Sequence, residues 1–439
     1  MTRLVRSLCV LAGLALVTPH AAHAQDTTYR GIFLGGTYDP LRDKVGIAVL
    51  PVAGAFGDSV RAIVQRDLDF SDRFTVIPID SADPAALRPG GTGTGLNYPI
   101  FARLKVTAVV QITAVPTGLH VALHNVTQGQ VVNVTEVALP SAALGRDWRM
   151  SVHRVSDEIE RWVTGQSGIA ATRVAYLRGQ SIRVVDSDGA NEITVPTDQN
   201  GFSPAWSPDG SMIAYSTFGN VPSRVVLIDL ATGRSRTLAT APKNSLYITP
   251  EFTADGKSIV FSRSGDEGSD IYEVSVTAGG APSRLNDGKG TENTNPTASP
   301  DGHRIVFVSG RLGHPELYIM DSDGTNVGQL TEYDFSDNNY RSDPDWSPDG
   351  RVIAYQERLS GRFQIRTIPA AGGTPKLLTS EGENQQPSWA PDSRHLVFTS
   401  TRTGVPQLWV LDVESGRLRQ LTKSAGSKLA SWSPRLAGQ

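Results

Sequence analysis

A five-residue motif recurs along the second half of the chain and restricts the folds open to it. The motif reads Trp-Ser-Pro-Asp-Gly at its two complete copies, and four partial copies keep its spacing. The six copies start at Trp206, Phe252, Ala298, Trp346, Trp389 and Trp432. Consecutive starts are 46, 46, 48, 43 and 43 residues apart. A period of about 40–50 residues with strand-like content is typical of a β-propeller, in which each repeat forms one blade.

The pattern inside each repeat predicts four antiparallel strands. Ser-Pro-Asp-Gly favours a type I turn, because proline presets φ at the second turn position and glycine suits the fourth. An alternating apolar segment begins seven residues after each motif start, as at 213–215. A second strand follows, as at 317–320, and then a short third strand, as at 329–331. Together with the motif strand, these segments make one blade.

The two ends of the repeat region predict how the ring closes. Residues 174–176, 182–185 and 193–195 match the last three strands of a blade, but no motif precedes them. Conversely, the motif copy at Trp432 has only seven residues after it. We therefore predict five whole blades and one split blade, in which the C-terminal strand pairs with the N-terminal three. Such closure pairs the strand edges that the two ends of the repeat region would otherwise expose.

The first 24 residues read as a secretory signal peptide. Arg3 and Arg6 precede an apolar stretch at 8–17, and Ala22-His23-Ala24 provides small residues for cleavage before Gln25. The alternative is a transmembrane anchor. The one cysteine, Cys9, lies inside this segment, so we expect a mature chain without a disulfide or a thiolate metal site.

Residues 25–165 contain no repeat and alternate between strand and helix patterns, which predicts a small α/β domain. A buried strand is expected at 47–50, and Asp58 is expected to cap the helix that follows it. Further strands are expected at 74–79, 106–115, 119–123 and 131–137, with a Gly/Pro-rich loop at 81–97. A last helix at about 146–163 ends at Thr164-Gly165, the predicted junction with a six-bladed propeller over 166–439.

Charge and motif content argue against several functional classes. The net charge is −3, and −5 once the predicted signal is removed, which is unlike a nucleic-acid-binding protein. No hydrolase Gly-x-Ser-x-Gly motif is present, and His120 and His124 lack the glutamate of a zinc-protease helix. We predict no catalytic residue, cofactor or metal ligand. A secreted propeller enzyme or peptidase-associated propeller is the alternative, as is a sugar- or ion-binding envelope module, because acidic residues could line the channel.

The segments just before the motif strands are polar and aromatic, and they are the candidate binding residues. If the motif strands are innermost, these segments meet at one mouth of the central channel, and loops on a rigid ring are common recognition sites. The alternative is that they are polar only because loops are solvated. The candidates are Asn200, Phe202, Tyr247, Glu292, Asn293, Asn295, Tyr340, Arg341, Glu383, Asn384 and Gln385.

Several segments resemble the TolB family, the periplasmic component of Tol–Pal systems. The resemblance is closest at 153–159 (His-Arg-Val-Ser-Asp-Glu-Ile), Thr164-Gly165 and 172–176 (Thr-Arg-Val-Ala-Tyr), and it extends to 46–51 (Gly-Ile-Ala-Val-Leu-Pro). It implies a monomeric, non-enzymatic periplasmic adaptor without cofactors. Such an adaptor binds the lipoprotein Pal at the propeller mouth and TolA through its N-terminal tail, and it supports outer-membrane integrity and constriction at cell division.

Carried onto this chain, the resemblance assigns the TolA-binding tail to residues 25–36. The residues of the tail support this role, because 29–34 are an extended, largely apolar segment beside Gly35-Gly36 that could add a strand to a partner sheet. Alternatively, the segment pairs within its own domain. The tail candidates are Gln25, Asp26, Tyr29, Arg30, Ile32, Phe33 and Leu34.

Overall fold

The computed structural model describes residues 44–79, 95–141, 143–197, 200–219, 222–286, 291–332 and 340–436. The predicted signal peptide, the tail at 25–36 and most of the loop at 81–97 lie outside these residues. The described part of the chain forms an α/β domain followed by a ring of six four-stranded sheets.

The α/β domain is built on one five-stranded sheet of order β2-β1-β3-β4-β5. Strand β1 is parallel to its two neighbours β2 and β3, whereas β4 is antiparallel to its two neighbours β3 and β5. The elements are β1 (Val45–Val49), α1 (Gly57–Phe70), β2 (Phe74–Val76), α2 (Tyr98–Arg103), β3 (Ala108–Val115), β4 (Gly118–Asn125), β5 (Gln130–Ala138) and α3 (Arg146–Thr164).

Successive residues of β1 point to opposite faces of the sheet, and both faces are covered. Ile47 and Val49 pack in one cluster with the apolar faces of α1 and α3. Ala48 and Leu50 pack in a second cluster with Phe101 of α2. The sheet is therefore buried between two layers, as the continuous apolar run at 47–50 predicted.

Three local details differ from the sequence-based expectations. Helix α1 begins at Gly57 after Phe56, so Asp58 lies in the first turn, where the helix dipole favours a carboxylate, and makes no capping hydrogen bond. Strand β2 ends at Val76, short of the predicted residue 79. Helix α2 was not predicted, because it has only six residues and too short an apolar period to recognise.

Each blade follows the predicted order from the inner motif strand outwards. Blade 1 contains β9 (Gly201–Trp206), β10 (Met212–Thr217), β11 (Arg224–Asp229) and β12 (Ser235–Thr240); blade 2, β13 (Ser245–Phe252), β14 (Ser258–Gly265), β15 (Gly268–Ser275) and β16 (Ser283–Arg284); blade 3, β17 (Asn293–Ala298), β18 (Arg304–Ser309), β19 (Glu316–Asp321) and β20 (Gly328–Gln329). Blade 4 contains β21 (Arg341–Trp346), β22 (Val352–Leu359), β23 (Arg362–Pro369) and β24 (Lys376–Leu377); blade 5, β25 (Asn384–Trp389), β26 (His395–Ser400), β27 (Gln407–Asp412) and β28 (Leu418–Gln420).

Blade 6 is the split blade, and its composition confirms the predicted closure. The C-terminal strand β29 (Ser427–Trp432) pairs antiparallel with β6 (Arg173–Arg178), which continues into β7 (Ser181–Asp186) and β8 (Ile193–Thr194). Beside this seam the Trp432 indole donates a hydrogen bond of 2.8 Å to the Thr172 hydroxyl. The two ends of the repeat region are thus joined by backbone and side-chain bonds.

The motif forms the turn between the first and second strands of a blade. In blade 1, the Ser207 hydroxyl donates to Asp209 Oδ1 at 2.6 Å and accepts the Met212 amide at 2.9 Å. Gly210 has φ of 72°, which suits glycine. Trp206 itself is buried between blade 6 and blade 1. We call the side of the ring with these turns the turn face and the opposite side the mouth face.

The α/β domain lies against the turn face of blades 5 and 6 through charged side chains. Arg66 of α1 and Arg149 of α3 both bind Asp188 in the β7–β8 turn. Arg417, in the β27–β28 turn, binds Asp69 and Asp72 at the end of α1, each at 2.8 Å. We call this contact the junction.

A buried histidine lies at the centre of the junction. His153 Nδ1 is 2.7 Å from Asp67 Oδ2, and its Nε2 is 3.6 Å from Asp188. Burial alone would lower the pKa of His153, but the charge and hydrogen bond of Asp67, with further charge from Asp188, raise it. His153 therefore lies between an acid of the α/β domain, Asp67, and an acid of the ring, Asp188.

Candidate partner-binding mouth

The motif strands are the innermost strands of the ring, as the mouth hypothesis requires. Strands β9, β13, β17, β21, β25 and β29 each neighbour the next around the axis. The segments that precede them therefore open on the mouth face. Within these segments, residues 198–199, 287–290 and 333–339 lie outside the described part of the chain.

The candidates six residues before each motif start lie at the surface of the mouth. Asn200 and Glu292 are exposed, Tyr340 is 42% exposed and Glu383 is half-buried. The Tyr340 ring packs edge-on against Phe363, with centroids 5.7 Å apart. These four side chains are positioned to contact a partner.

The candidates one residue further along are buried instead. Tyr247, Asn293, Arg341 and Asn384 occupy the same position in blades 2 to 5, and none is more than 8% exposed. Alternate strand residues point in opposite directions, so a single step along the strand turns the side chain from the mouth into the blade. These four support the mouth from below.

Buried hydrogen bonds show what this support consists of. Asn384 Nδ2 donates to Gln364 Oε1 at 2.8 Å and to the Glu381 carbonyl at 2.9 Å. Arg341 lies between two buried carboxylates, with Nη1 2.6 Å from Glu316 and Nη2 2.8 Å from Glu357. Both side chains tie a mouth loop to neighbouring strands.

The remaining candidates lie on the inner strands β9, β17 and β25. Phe202 is half-buried and packs edge-on against Phe218, with centroids 4.8 Å apart. Asn295 Nδ2 donates to Asp343 Oδ1 of the next blade at 2.7 Å. Gln385 donates to Glu383 Oε1 at 3.3 Å.

Exposed apolar side chains surround the mouth, and sequence analysis missed most of them. They are Phe218, Leu246, Leu312 and Val405, which with Tyr340 are 41–49% exposed. Leu246 directly precedes a predicted candidate, whereas the other three lie in turns between second and third strands, where no candidate was predicted. Exposed apolar groups clustered on one face mark an interaction surface.

A repeated backbone irregularity shapes the channel below the mouth. Each inner strand shifts register at a β-bulge, and each bulge contains a residue with φ between 49° and 55°. These residues are Ser203, Thr249, Asn295, Asp343, Gln386 and Leu429. In five of the six strands the next residue is proline, a signal that the sequence contained. Bulges redirect side chains, here towards the axis.

Three carboxyl groups line the channel, which encloses a cavity of about 400 Å³. Burial raises the pKa of Glu251 to about 8, that of Asp345 to about 7 and that of Asp343 to about 6. Asp345 also accepts the Trp389 amide at 2.6 Å. The carboxyls are therefore partly protonated near neutral pH.

Among the described residues, two clusters of acids and histidine at the junction resemble metal sites in composition, namely Asp67 with His153 and Asp188, and Asp72 with His395 and Asp412. Their carboxylates already face arginines: Asp188 pairs with Arg66 and Arg149, Asp72 with Arg417, and Asp412 with Arg394. These positive charges suit a structural ion-pair network better than a cation site.

The remaining histidines singled out in the sequence are structural. His124 is buried between the Tyr98 hydroxyl and Gln111 Oε1, each at 3.0 Å, while His120 lies 3.8 Å from Glu136. Within the described residues, none of the helices combines the length and apolar character required to cross a bilayer.

Comparison with known proteins places the ring in a family. The profile described as PD40, TolB beta propeller domain, matches residues 160–436. The Tol-Pal system protein TolB of Methylococcus capsulatus is 32% identical over 210 residues, which make up 45% of this chain and 48% of that protein. The Escherichia coli K12 protein of the same name is 33% identical over 203 residues, or 44% and 46% of the two chains. The chain thus spans about half the length of the curated relatives it matches.

Solved structures extend the likeness to the α/β domain at the level of fold. TolB from Acinetobacter baumannii superposes with a TM-score of 0.75 at 24% identity, over 89% of this chain and 97% of that one. Hydrazine synthase of Kuenenia stuttgartiensis superposes with a TM-score of 0.50 at 13% identity, over 61% of this chain and 48% of that one, so a shared fold by itself does not determine function. Because the family profile covers more than half of the residues, including every strand of the ring, the chain belongs to the TolB β-propeller family.

Proposed function

We propose that this chain is a non-enzymatic periplasmic adaptor of a Tol–Pal system. It binds a Pal-like peptidoglycan-associated lipoprotein at the mouth face and TolA through residues 25–36. In this role it couples the envelope layers, maintains outer-membrane integrity and supports constriction during division. The relatives named as Tol-Pal system proteins support the proposal.

The observation that supports a lipoprotein site at the mouth is the set of exposed apolar side chains around it. Tyr340, Leu246 and Phe218 are each more than 40% exposed although they are large and apolar. Burying such groups against a partner releases about 25 cal/mol per Å² of apolar surface. Glu292 beside them is exposed and available for polar contacts.

The test is capture of Pal by the double variant Tyr340→Ala, Glu292→Ala. Both residues are at the surface of the mouth, so we expect weaker capture at an unchanged melting temperature. Leu377→Ala is the matched control, because Leu377 is 46% exposed on an outer strand away from the mouth. Intact capture by the double variant would place the lipoprotein site elsewhere.

The tail assignment has its own test. Deletion of residues 25–34 removes the apolar segment and should abolish TolA binding in a pulldown while leaving Pal capture intact. Unchanged TolA binding would refute the role of the tail without affecting the mouth proposal.

The channel carboxyls favour one alternative function, a propeller enzyme. Carboxyls whose pKa is raised to about 7, as in Asp345, or to about 8, as in Glu251, are suited to general acid–base work. A broad hydrolase screen of the purified protein beside Glu251→Gln distinguishes the classes. Activity that the substitution removes would favour the enzyme over the adaptor.

A further inference from the structure

A groove opens between blades 2 and 3 on the turn face, away from the mouth and from the junction. It encloses about 690 Å³, and its floor includes Val260 of blade 2 and Ile305 of blade 3. Both floor residues are almost completely buried, at 1% and 2% exposure. The groove adjoins Ala298, the first residue of the motif copy in blade 3.

Other blades show what usually occupies this position. Trp206 of blade 1 shares a buried cluster with Ile182 and Val184 of blade 6, and Trp346 of blade 4 shares one with Val306 of blade 3. The motif aromatic thus packs against the preceding blade. Ala298 is half-buried and has no ring to fill the equivalent space. The groove therefore lies where other blades hold the motif tryptophan, and in this blade the tryptophan is missing. We call this groove the socket.

The rim of the socket is acidic. Its carboxylates are those of Asp255, Glu273, Asp301 and Asp323. Hydrogen bonds lower the pKa of three of them: Asp301 from Ser299, Asp323 from Thr325, and Asp255 from the Lys257 amide. These three are consequently ionised at neutral pH.

The positive groups nearby offset only part of this charge. Lys257 Nζ lies 3.3 Å from Asp255, and the Arg304 guanidinium is stacked over the Trp346 ring at 5.1 Å. His303 is exposed at the rim. The socket thus combines an apolar floor, at the position that the motif ring occupies in other blades, with a rim of excess negative charge.

We propose that this groove binds a segment of a partner protein that presents a tryptophan side chain flanked by lysine or arginine. The indole replaces the missing motif ring between blades 2 and 3, and the flanking cations face the rim carboxylates. The complementary charge strengthens encounter and orients the segment. The site is independent of the mouth, because the two surfaces lie on opposite faces of the ring.

The experiment uses the peptide acetyl-Lys-Trp-Lys-amide as the probe, titrated into the mature chain by calorimetry. We expect binding to the wild type and a loss of at least about tenfold in affinity for Ala298→Trp, because the chain's own indole then fills the socket. The melting temperature of this variant should not fall, since other blades hold tryptophan at the same place. Phe252→Trp is the matched control, because it restores the motif tryptophan in blade 2 and leaves the socket open.

Two further peptides separate the contribution of the indole ring from that of the flanking charges. Acetyl-Lys-Ala-Lys-amide lacks the ring and acetyl-Glu-Trp-Glu-amide reverses the charge, and both should bind more weakly than the probe. If Ala298→Trp does not fold, the pair Asp301→Asn, Asp323→Asn should weaken probe binding instead. Equal binding to wild type and variant, or no binding to the wild type, would overturn the proposal. Pal capture should be unaffected by Ala298→Trp, so either proposal can fail without the other.

Discussion

The mouth face and the junction lie on opposite sides of the same ring and are built from different chemistry. Apolar side chains such as Leu246 and Phe218 are left exposed around the mouth. At the junction, by contrast, charges such as Asp67 and Asp188 are paired and largely removed from solvent. Exposed apolar surface suits a partner that binds reversibly. Buried ion pairs instead hold the two domains in one orientation and are costly to break.

The largest effect should come from the seam that closes the ring beside the junction. Trp432→Ala removes a buried indole and its bond to Thr172, and we expect a loss of about 3–5 kcal/mol in the free energy of unfolding. Urea denaturation measures it. Trp409→Ala is the control, because Trp409 is half-buried under Arg402, and a smaller loss is expected there. Equal losses of unfolding free energy in the two variants would mean that ring closure makes no specific contribution to stability.

Two adjacent mouth residues should behave oppositely. Arg341→Ala leaves the buried Glu316 without its cation and leaves Glu357 with Arg366 alone, so we expect a loss of about 3–5 kcal/mol in stability. Tyr340→Ala should lower stability by less than about 1 kcal/mol and act on Pal capture instead. Thermal denaturation and capture assays decide both points. A stable Arg341→Ala variant would contradict the supporting role assigned to the buried position.

The junction should weaken as pH rises. The folded-state pKa of His153 is raised, so its contribution is fully present below the unfolded value of about 6.5 and is lost as pH rises through the folded value. His153→Gln should therefore cost about 1.5–3 kcal/mol at pH 6 and less at pH 9. Urea titrations at the two pH values measure this difference. A loss of stability that does not depend on pH would indicate that the imidazole of His153 is neutral in the folded protein.

The smallest effect on stability should come from the exposed mouth residues. Leu246→Ser is expected to change the free energy of unfolding by no more than about 0.5 kcal/mol, yet to weaken Pal capture. Leu418→Ser is the control, since Leu418 is also exposed but lies on β28 near the turn face. If both substitutions weaken capture equally, the loss reflects general surface hydrophobicity and not the mouth.

The sequence located the candidate segments along the chain but did not determine the direction of their side chains, and their role in partner binding stays a prediction. The segments before the motif strands do meet at one mouth, as predicted. Sequence alone did not distinguish Tyr340, which is exposed, from Arg341, which is buried. Both side chains carry polar groups and they are adjacent in the sequence. The pairing of β21 with β22 sets the register, and this register turns Arg341 inwards.

The sequence by itself determined the number of blades, the split of the sixth and the end of α3 at Gly165, because repeat spacing, turn chemistry and helix periodicity are local properties. The tertiary structure alone decided which acids face which arginines across the junction. It also decided that a single alanine in place of tryptophan leaves a socket between blades 2 and 3. The junction pairs residues hundreds of positions apart, as with Arg417 and Asp69, and the socket depends on how two blades pack, so no local pattern records either feature.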